Sequence, residues 1–372
     1  MSWEKGCLAD LADEIRDSFI PDGNQEYPCV TLDNIEPGTL YISSIGNASE
    51  VSSSKFRFKN GDILFGKMRP YFRKVVHPEF DGVCSTELCV IRPKSESDAK
   101  FVFYYTAQQS FIDYATANSK GDRPRTKWQF ISKYSSLLPS LKEREKIGDV
   151  LSKYDGLLEN NLRRIELLEE SARLLYREWF VYLRFPGHEH TKITKGVPEG
   201  WRKEKIGGLL AKIKRKRKIH KEDYLEEGPI PCVDQSQKFI GGYIDIEEAK
   251  HDAPLPIIVF GDHTRILKFI DFPFASGADG TQLLYPNDAS ISPEYLYFVL
   301  NSVDLSNYFY ARHFKFLKEQ EVLIGDLKLI RNFTDIIKPS MKQISLLKEQ
   351  NRKLQEARDI LLPRLMNGDI AV

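Results

Sequence analysis

The chain repeats itself at an offset of about 200 residues, and this duplication limits its possible folds more than any other feature. Four short matches recur in the same order in the two halves. They are Trp3 and Leu8 with Trp201 and Ile206, Pro28-Cys29-Val30 with Pro231-Cys232-Val233, Ile63-Leu64-Phe65-Gly66 with Ile258-Val259-Phe260-Gly261, and Pro139-Ser140-Leu141-Lys142-Glu143 with Pro339-Ser340-Met341-Lys342-Gln343. Each match is short, but the shared order and offset predict two versions of one structural unit.

After the first Pro-Ser pair, mainly apolar residues alternate in steps of four and three without interruption, which is the heptad pattern of a coiled coil. We therefore predict a central long helix over residues 139–184, in which the stretch from about Leu141 to Tyr182 would be roughly 60 Å long at 1.5 Å per residue. Its seam consists of Ile147, Leu151, Tyr154, Leu158, Asn161, Ile165, Leu168, Ala172, Leu175, Trp179 and Tyr182.

The same phase returns near the end of the chain and predicts a shorter C-terminal helix over residues 337–372. Its seam positions are apolar at Leu347, Leu354, Leu361 and Leu365, and polar at Asn351 and Arg358. Two pairs of residues have capping-box spacing and are predicted helix starts. They are Ser140 with Glu143 and Ser340 with Gln343. Because a lone amphipathic helix cannot bury its stripe, we expect the two helices to pack antiparallel. The alternative is that each helix folds onto its own domain.

Residues 1–138 and 201–336 each have the pattern of a small α+β domain, with strands and helices bounded by turn residues. The predicted strands are Tyr27 to Leu32, Gly61 to Phe65, Leu88 to Ile91 and Pro256 to Phe260, and the predicted helices are Phe101 to Ala115 and Pro293 to Leu300. Residues 185–200 contain Pro and Gly without periodicity and form the predicted linker. The predicted fold class is α+β, a pseudo-two-fold tandem repeat of two similar domains separated by a pair of long antiparallel coiled-coil helices.

Composition excludes several classes of protein. The longest apolar run is about six residues, far below the ~20 of a membrane-spanning helix, and the charged N-terminus does not resemble a secretory signal, so we expect a cytoplasmic protein. The five cysteines include no C-x-x-C pair, which argues against a disulfide framework and a cysteine zinc site. Lys plus Arg (54) almost equals Asp plus Glu (53), so nucleic-acid binding would require local basic patches.

Catalytic chemistry has weak support in the sequence. Asp234, Glu248 and Lys250 imitate the trio that positions Mg²⁺ and water in nucleases, but such residues recur by chance in a charged chain. His188 and His190 could form half of a metal site, yet they lie in the linker with no further ligand nearby in sequence. The chain also has no glycine-rich phosphate-binding motif. We expect neither catalytic residues nor a metal site.

One turn occurs in both halves and favours recognition over catalysis. In the second half, Asp262 and His263 follow a predicted strand and could form a general-base pair. The matching turn of the first half has Lys67 and Arg69 instead. Cationic residues in both copies, with no nucleophile beside them, are more typical of a binding loop.

Basic clusters in both halves are the main functional signal. In the first half they comprise Lys67, Arg69, Arg73, Lys74, Arg123, Arg125 and Lys127, and in the second half Lys214, Arg215, Lys216, Arg217, Lys218, His263, Arg265, Arg312 and Lys315. Such groups neutralise phosphates and release counterions, and Arg also reads guanine edges. A single charge run is usually a solvated face, but matching clusters in two repeats favour DNA binding.

Several motifs together resemble a known family. They are Phe65-Gly66-Lys67-Met68-Arg69-Pro70-Tyr71, the Pro139-Ser140-Leu141 start of a helix that ends in Arg177-Glu178-Trp179-Phe180, Pro198-Glu199-Gly200-Trp201, and the final Ala357-Arg358-Asp359-Ile360-Leu361-Leu362-Pro363-Arg364-Leu365-Met366-Asn367-Gly368. In this order, over essentially the whole chain, they resemble the specificity subunit of Type I restriction-modification systems.

The resemblance implies that each globular half is a target recognition domain that reads one part of a bipartite, asymmetric sequence in double-stranded DNA. The paired helices would then fix the gap between the two parts. It also implies that the chain has no catalysis of its own and no cofactor. Two methyltransferase subunits would use S-adenosylmethionine to methylate adenine, and restriction subunits would use ATP and Mg²⁺ to translocate and cut DNA.

Two other functions stay open on the residues alone. One is a stand-alone Mg-dependent nuclease that uses Asp234, Glu248 and Lys250. The other is a coiled-coil scaffold that binds only protein, with charge runs that are merely solvated. Cleavage of DNA by the purified chain would support the first, and a lack of salt-dependent DNA binding would support the second.

Overall fold

The long helices contribute to both of the compact units into which the chain divides. The computed structural model describes residues 3–24, 26–214, 216–308 and 312–372. The first unit comprises Met1–Leu162 with Glu349–Val372, and the second comprises Arg163–Lys348. The central helix runs from Leu141 to Tyr176 and continues as a π-helical turn, and the C-terminal helix runs from Leu327 to Met366.

The first unit combines small sheets with short helices. Its strands are Glu4–Cys7, Ala12–Ile15, Ser18–Phe19, Pro28–Val30, Gly46–Asn47, Lys55–Phe58, Ile63–Gly66, Val75–Val76, Gly82–Ser85, Leu88–Pro93 and Ser135–Leu138. Its α-helices, besides the long ones, are Leu8–Leu11, Ala99–Ala107, Gln109–Ala117 and Trp128–Ile131. The predicted helix over Phe101 to Ala115 is thus two helices, because Gln108 takes an extended conformation between them.

The strand Ile63–Gly66 lies inside the first unit, between Leu88–Pro93 and Val75–Val76. All four of its residues are buried. A short, continuous apolar run is typical of a strand that is covered on both faces, which explains why the sequence pattern identified it. The helix Ala99–Ala107 packs in the same core, together with Leu8 and Phe111.

The second unit has the same kinds of elements. Its strands are Ile193–Thr194, Val197–Pro198, Arg202–Lys205, Ile230–Val233, Gly242–Ile244, Lys250–His251, Ile257–Gly261, Leu267–Ile270, Phe274–Ser276, Thr281–Leu284 and Glu321–Ile324. Its α-helices, besides the long ones, are Ile206–Leu209, Pro293–Asn301 and Phe314–Glu319. The Ser292 hydroxyl accepts from Tyr295 N at 3.0 Å and caps the helix at Pro293.

Two strand pairings and one buried strand recur in the two units and confirm the predicted duplication. In each unit the first strand after the repeated tryptophan, Trp3 or Trp201, pairs antiparallel with the strand before a long helix. A parallel pair includes the Pro-Cys-Val motif, and a buried strand ends in glycine. The matching elements are Glu4–Cys7 with Ser135–Leu138 and Arg202–Lys205 with Glu321–Ile324, Pro28–Val30 with Gly82–Ser85 and Ile230–Val233 with Phe274–Ser276, and Ile63–Gly66 with Ile257–Gly261.

In the first unit, the two long helices pack antiparallel through the predicted seam. Ile147 and Leu151 lie in one core with Leu362 and Leu365. Further along the seam, Asn161 Nδ2 donates to Asn351 Oδ1 at 2.9 Å, and both side chains are buried. Two buried amides that satisfy each other avoid the desolvation cost of an unpaired polar group, so polar seam positions are tolerated here.

In the second unit, the two long helices also run antiparallel. Lys348 Nζ lies 3.1 Å from a carboxylate oxygen of Glu169, and the Tyr176 and Phe333 rings are 5.9 Å apart. The predicted seam residues of this part contribute to a large core, with Leu168 and Leu175 half-buried. Buried side chains from the two helices in this core are Ile165, Ala172, Tyr176, Trp179, Ile337, Met341, Ile344 and Leu347.

The remaining predicted seam positions agree only in part with the burial of their side chains in the structure. Leu158 is buried, and Tyr154 is half-buried. On the C-terminal helix, Leu365 is buried, whereas Leu354 and Leu361 are half-buried. Tyr182 was wrongly predicted, because its side chain is 46% exposed. The chain leaves α-helical geometry at Arg177, and a wider π turn rotates the following residues off the heptad phase.

The predicted start of the C-terminal helix at Ser340 was also wrong. The helix begins at Leu327, where Asp326 Oδ1 accepts from two backbone N–H groups, at 2.9 and 3.0 Å. Pro339 lies within the helix and costs about 3 kcal/mol there. Burial of four apolar residues before it, each contributing about 1.5–3 kcal/mol, exceeds that cost. These residues are Leu329, Ile330, Phe333 and Ile337.

The start of the central helix was predicted correctly, although its cap differs in detail. The Glu143 carboxylate accepts from Ser140 N at 3.0 Å, as in a capping box. The Ser140 hydroxyl donates to the same carboxylate at 2.7 Å. The predicted linker contains a small antiparallel pairing of Ile193–Thr194 with Val197–Pro198.

Candidate nucleic-acid interface

A strained turn follows the buried strand Ile63–Gly66 in the first unit. Pro70–Phe72 form one 3-10 turn, and the residues on either side of it, Arg69 and Arg73, both have a φ of 50°. Non-glycine residues rarely adopt this left-handed conformation, which costs about 1–2 kcal/mol per residue. The turn exposes Tyr71 (49%) and Phe72 (36%), whose rings are 4.8 Å apart.

The second basic stretch of the first half folds against this turn. Arg69 N donates to Pro124 O at 2.7 Å, and Thr126 N donates to Lys67 O at 3.0 Å. Met68 and Arg125 form an isolated antiparallel bridge. The structure therefore brings together two basic loops that lie far apart in sequence, and we call residues 67–72 with residues 121–127 the first basic surface.

Cations of the first basic surface differ in their surroundings. Arg123 and Lys127 are exposed, and Lys67 and Arg69 are half-buried. The Lys67 Nζ lies 5.6 Å from the centre of the Phe56 ring, and the Arg69 guanidinium lies 5.9 Å from that of Phe72. These contacts hold the cations beside apolar rings while they stay accessible to an anion.

Three predicted binding residues of the first half have protein partners instead. Arg125 forms a two-point contact with the Glu87 carboxylate, with both distances 2.9 Å. Arg73 Nε donates to Ala107 O at 2.7 Å, and Lys74 Nζ donates to Leu32 O at 2.5 Å. Burial lowers the pKa of both Arg73 and Lys74. All these cations were predicted to bind DNA because the sequence alone does not show which way each side chain points.

In the second unit, the loop after Ile257–Gly261 is anchored by Asp262. Asp262 N donates to Gly280 O at 2.7 Å, its carbonyl accepts from His313 N at 2.8 Å, and its Oδ1 accepts from Phe314 N at 2.7 Å. The carboxylate therefore caps the helix Phe314–Glu319 rather than acting with His263. This anchor links the loop of His263 and Arg265 to the segment of Arg312 and Lys315, all four of which are exposed.

The lysine-rich stretch of the second half runs beside the loop Gly277–Gly280. Ile219 N donates to Ser276 O at 3.1 Å, and Lys218 Nζ donates to Ala278 O at 3.2 Å. Lys216 lies 3.5 Å from the Asp252 carboxylate. Lys214 and Arg217 are exposed, whereas Arg215 lies outside the described residues.

Gly280 lies where the two basic stretches of the second unit approach each other. Its φ is +63°, and a Cβ there would lie 2.5 Å from the His263 ring. Gln235, which sequence reasoning missed, accepts from His263 N at 3.0 Å and from the Thr264 hydroxyl at 2.7 Å. We call residues 214–218, 263–265 and 312–315, as far as they are described, the second basic surface. Arg265 in it also donates to Leu305 O at 3.0 Å.

The residues of the nuclease alternative have other partners. Asp234 Oδ1 accepts from Ser236 N at 2.9 Å and from its hydroxyl at 2.5 Å. Lys250 contacts Glu247 at 2.6 Å, and Glu248 is exposed. Within the described ranges, no group of three or more His, Cys, Asp or Glu side chains is arranged to hold a metal ion.

Two further sequence features have ordinary surroundings. His188 Nδ1 lies 2.8 Å from Phe185 O, next to the end of the central helix. The five cysteines are all free thiols. In the part of the chain that is described, no helix combines the length and the apolar character that a membrane span requires.

Comparison with known proteins points to one family. Residues 2–170 match the family described as Type I restriction modification DNA specificity domain. The Type I restriction enzyme MjaIX specificity subunit of Methanocaldococcus jannaschii is 24% identical over 313 residues, covering 76% of this chain and 71% of that protein. The Type I restriction enzyme EcoDI specificity subunit of Escherichia coli is 34% identical over 98 residues, covering 26% and 22%.

A solved structure shares the fold. The S subunit of a Type I restriction-modification system from M. genitalium aligns with a TM-score of 0.58 and 17% sequence identity. The alignment covers 98% of this chain and 96% of that one. Both units, and both long helices, therefore have counterparts in a known fold.

Proposed function

We propose that the chain is a specificity subunit of a Type I restriction-modification system, the non-catalytic DNA-recognition component, and that each of its units reads one part of a bipartite DNA sequence. The first basic surface would bind one part and the second basic surface the other. Since the turns of the two units differ in sequence, the two parts of the target should differ as well.

One observation supports this proposal above the others. In both units a loop with cationic side chains follows the same buried strand, Ile63–Gly66 or Ile257–Gly261, and a second cationic segment from elsewhere in the chain lies beside it. Duplicated cations are suited to the phosphates of a double helix, and the side chains between them can reach base edges.

The partners follow from the family. A specificity subunit acts with methyltransferase and restriction subunits on DNA. We extend this to two methyltransferase subunits that use S-adenosylmethionine to methylate adenine, and to restriction subunits that use ATP and Mg²⁺. In this arrangement the present chain needs no cofactor, since bond formation and cleavage take place in the other subunits.

Selection from a random library tests sequence recognition. The full chain, alone and with its methyltransferase subunits, is incubated with duplexes that have a random centre of about 30 base pairs, close to three helical turns. We expect enrichment of two short conserved blocks at a constant spacing, with binding that weakens as salt rises. Exchange of residues 1–138 for those of another family member should change one block only. If both blocks change, the two-reader proposal is wrong.

The same purified subunits and DNA duplexes test the two alternative functions, a protein-only scaffold and a nuclease. A scaffold that binds only protein would enrich no sequence, even with the methyltransferase subunits present. A nuclease would cleave DNA in Mg²⁺ without any other subunit, and Glu248→Ala would abolish the cleavage. Either result would contradict the proposed function.

A further inference from the structure

Arg73 ends the exposed turn of the first unit and connects it to the long helices. Its Nε donates to Ala107 O at 2.7 Å, and its Nη2 lies 3.4 Å from Asp359 Oδ1 on the C-terminal helix. The Arg73 side chain is only 17% exposed. Two directions of the guanidinium are therefore used within the unit, which leaves this residue poorly placed to contact DNA itself.

Asp359 belongs to a continuous polar chain within the first unit. Its Oδ1 also accepts from Arg358 Nε and Nη2, at 3.2 and 3.1 Å. Arg358 Nη1 in turn donates to Asp155 Oδ1 on the central helix at 2.6 Å. The hydroxyl of Tyr104, in the helix Ala99–Ala107, donates to the other oxygen of Asp155. Hydrogen-bonded contacts thus extend from the helix seam to the residue that closes the turn.

The backbone conformation of Arg73 links these hydrogen-bonded contacts to the position of the turn. Arg73 adopts a left-handed conformation that is unfavourable for a side chain with a Cβ, so the conformation must be held by surrounding contacts. The turn that it closes places Tyr71 and Phe72 in solvent beside Arg69. A shift of the Arg73 side chain would therefore move two exposed rings on the first basic surface.

We propose that Arg73, through Asp359, positions the Tyr71–Phe72 turn relative to the helix seam, so that it determines how selectively the first unit reads its part of the DNA target. Arg73 is a positioning residue in this account and does not contact the bases. The inference rests on the proposed function, because it concerns the quality of DNA reading by one unit. Lysine at position 73 would keep the charge but lacks the planar fork that serves both partners.

The test compares Arg73→Lys with a matched control in the same unit. Arg92 makes a two-point contact with Asp62, at 2.7 Å for both pairs of atoms, at the other end of the strand Ile63–Gly66. Arg92→Lys therefore disturbs a similar Arg–Asp contact away from the turn. Binding of each full-length variant is measured with duplexes taken from the selection, in which either block is intact or altered.

We expect Arg73→Lys to lower discrimination at the first unit's block by about tenfold, with discrimination at the other block unchanged. Arg92→Lys should leave both unchanged. Equal loss at both blocks, equal loss in Arg92→Lys, or no loss in Arg73→Lys would each overturn the inference. If the wild-type chain selects no sequence, the proposed function fails first, which is a distinguishable result.

Variants of Asp359 separate positioning from direct contact. If Arg73 acts through Asp359, Asp359→Asn alone should lower discrimination at the same block, and the Arg73→Lys/Asp359→Asn double variant should lose no more than Arg73→Lys. If Arg73 instead binds a phosphate, Arg73→Lys or Arg73→Ala would weaken binding to all duplexes alike, and Asp359→Asn would have no effect. That second pattern would overturn the inference.

Discussion

The Arg358 guanidinium donates to the Asp155 carboxylate at 2.6 Å across the two long helices of the first unit, with the Arg358 side chain only 1% exposed. Arg358 occupies a seam position where the heptad pattern would place an apolar residue. Burial alone would lower the pKa of Arg358, but Asp155 and Asp359 raise it above its usual value. The charge is therefore retained because both carboxylates compensate for its desolvation.

Removal of one partner from this pair should be costly. Asp155→Ala leaves a buried guanidinium with fewer contacts, and we expect a loss of about 3–5 kcal/mol in the free energy of unfolding. The apolar double variant Asp155→Leu/Arg358→Met removes both charges and should be less destabilised than Asp155→Ala. Unfolding in urea measures the stability of both variants, and a double variant no more stable than Asp155→Ala would contradict this explanation.

The control is an exposed ion pair. Lys100→Ala, which breaks an exposed contact with Asp149, should cost less than about 1 kcal/mol in the free energy of unfolding.

Two glycines of the central helix should respond in opposite ways to alanine. Gly156 has no neighbouring atom within 4 Å of the position of a Cβ, so Gly156→Ala should stabilise the protein by about 1 kcal/mol through helix propensity. At Gly148 a Cβ would lie 2.7 Å from Lys100 Cβ and 3.2 Å from Phe101 N. We expect Gly148→Ala to destabilise, since overpacking costs about 1–3 kcal/mol. Thermal unfolding of the two variants measures both changes in stability. An equal gain in stability from both would show that the central helix does not approach Ala99–Ala107 this closely.

Lys268 predicts a pH dependence of stability in the second unit. Burial lowers its pKa to about 8, against the opposing effect of Asp234, and its Nζ donates to Asp234 O at 2.8 Å. Between about pH 8 and 10.5, the unfolded chain keeps a proton that the folded chain has lost, so a rise in pH favours the folded state. The stability of the wild type minus that of Lys268→Met should therefore increase across this window and stay constant below it. A difference that falls with pH would contradict the lowered pKa.

Accessible cations of the first basic surface should determine how DNA binding depends on salt concentration. Each of Lys67→Ala, Arg123→Ala and Lys127→Ala should weaken binding to all duplexes by a similar factor, because phosphate contacts are independent of sequence. Each should also reduce the slope of log affinity against log salt by about 0.9. The control is Lys153→Ala, an exposed lysine of the central helix. Unchanged slopes in the first three variants, or a matching change in the control, would exclude this surface from DNA binding.

Much of the fold could be predicted because its signals are local. The heptad steps identify the central helix, since seam positions such as Ile147 and Leu151 must face one partner whatever surrounds them. The run Ile63-Leu64-Phe65-Gly66 identifies a buried strand for the same reason. Ser340 misled the prediction because its capping-box spacing is local too, whereas the burial of Phe333 and Ile337 that extends the helix towards Leu327 depends on contacts distant in sequence.

The candidate site was predicted only as a group of cations. Spacing alone could not separate Arg123 and Lys127, which are exposed, from Arg73 and Lys74, which bind main-chain carbonyls. It also could not show that Asp262 caps a helix. Each of these outcomes depends on a partner many residues away.

The sequence by itself determined the duplication, the α+β class, the helix pair and the presence of a basic loop after the same strand in both halves. These properties follow from periodicity and turn chemistry, which operate over a few residues. Only the tertiary structure decided which cations are accessible and how the seam accommodates Arg358 and Asn351. Those outcomes depend on which distant side chains meet in a desolvated environment, where a charge or an amide persists only if a partner satisfies it.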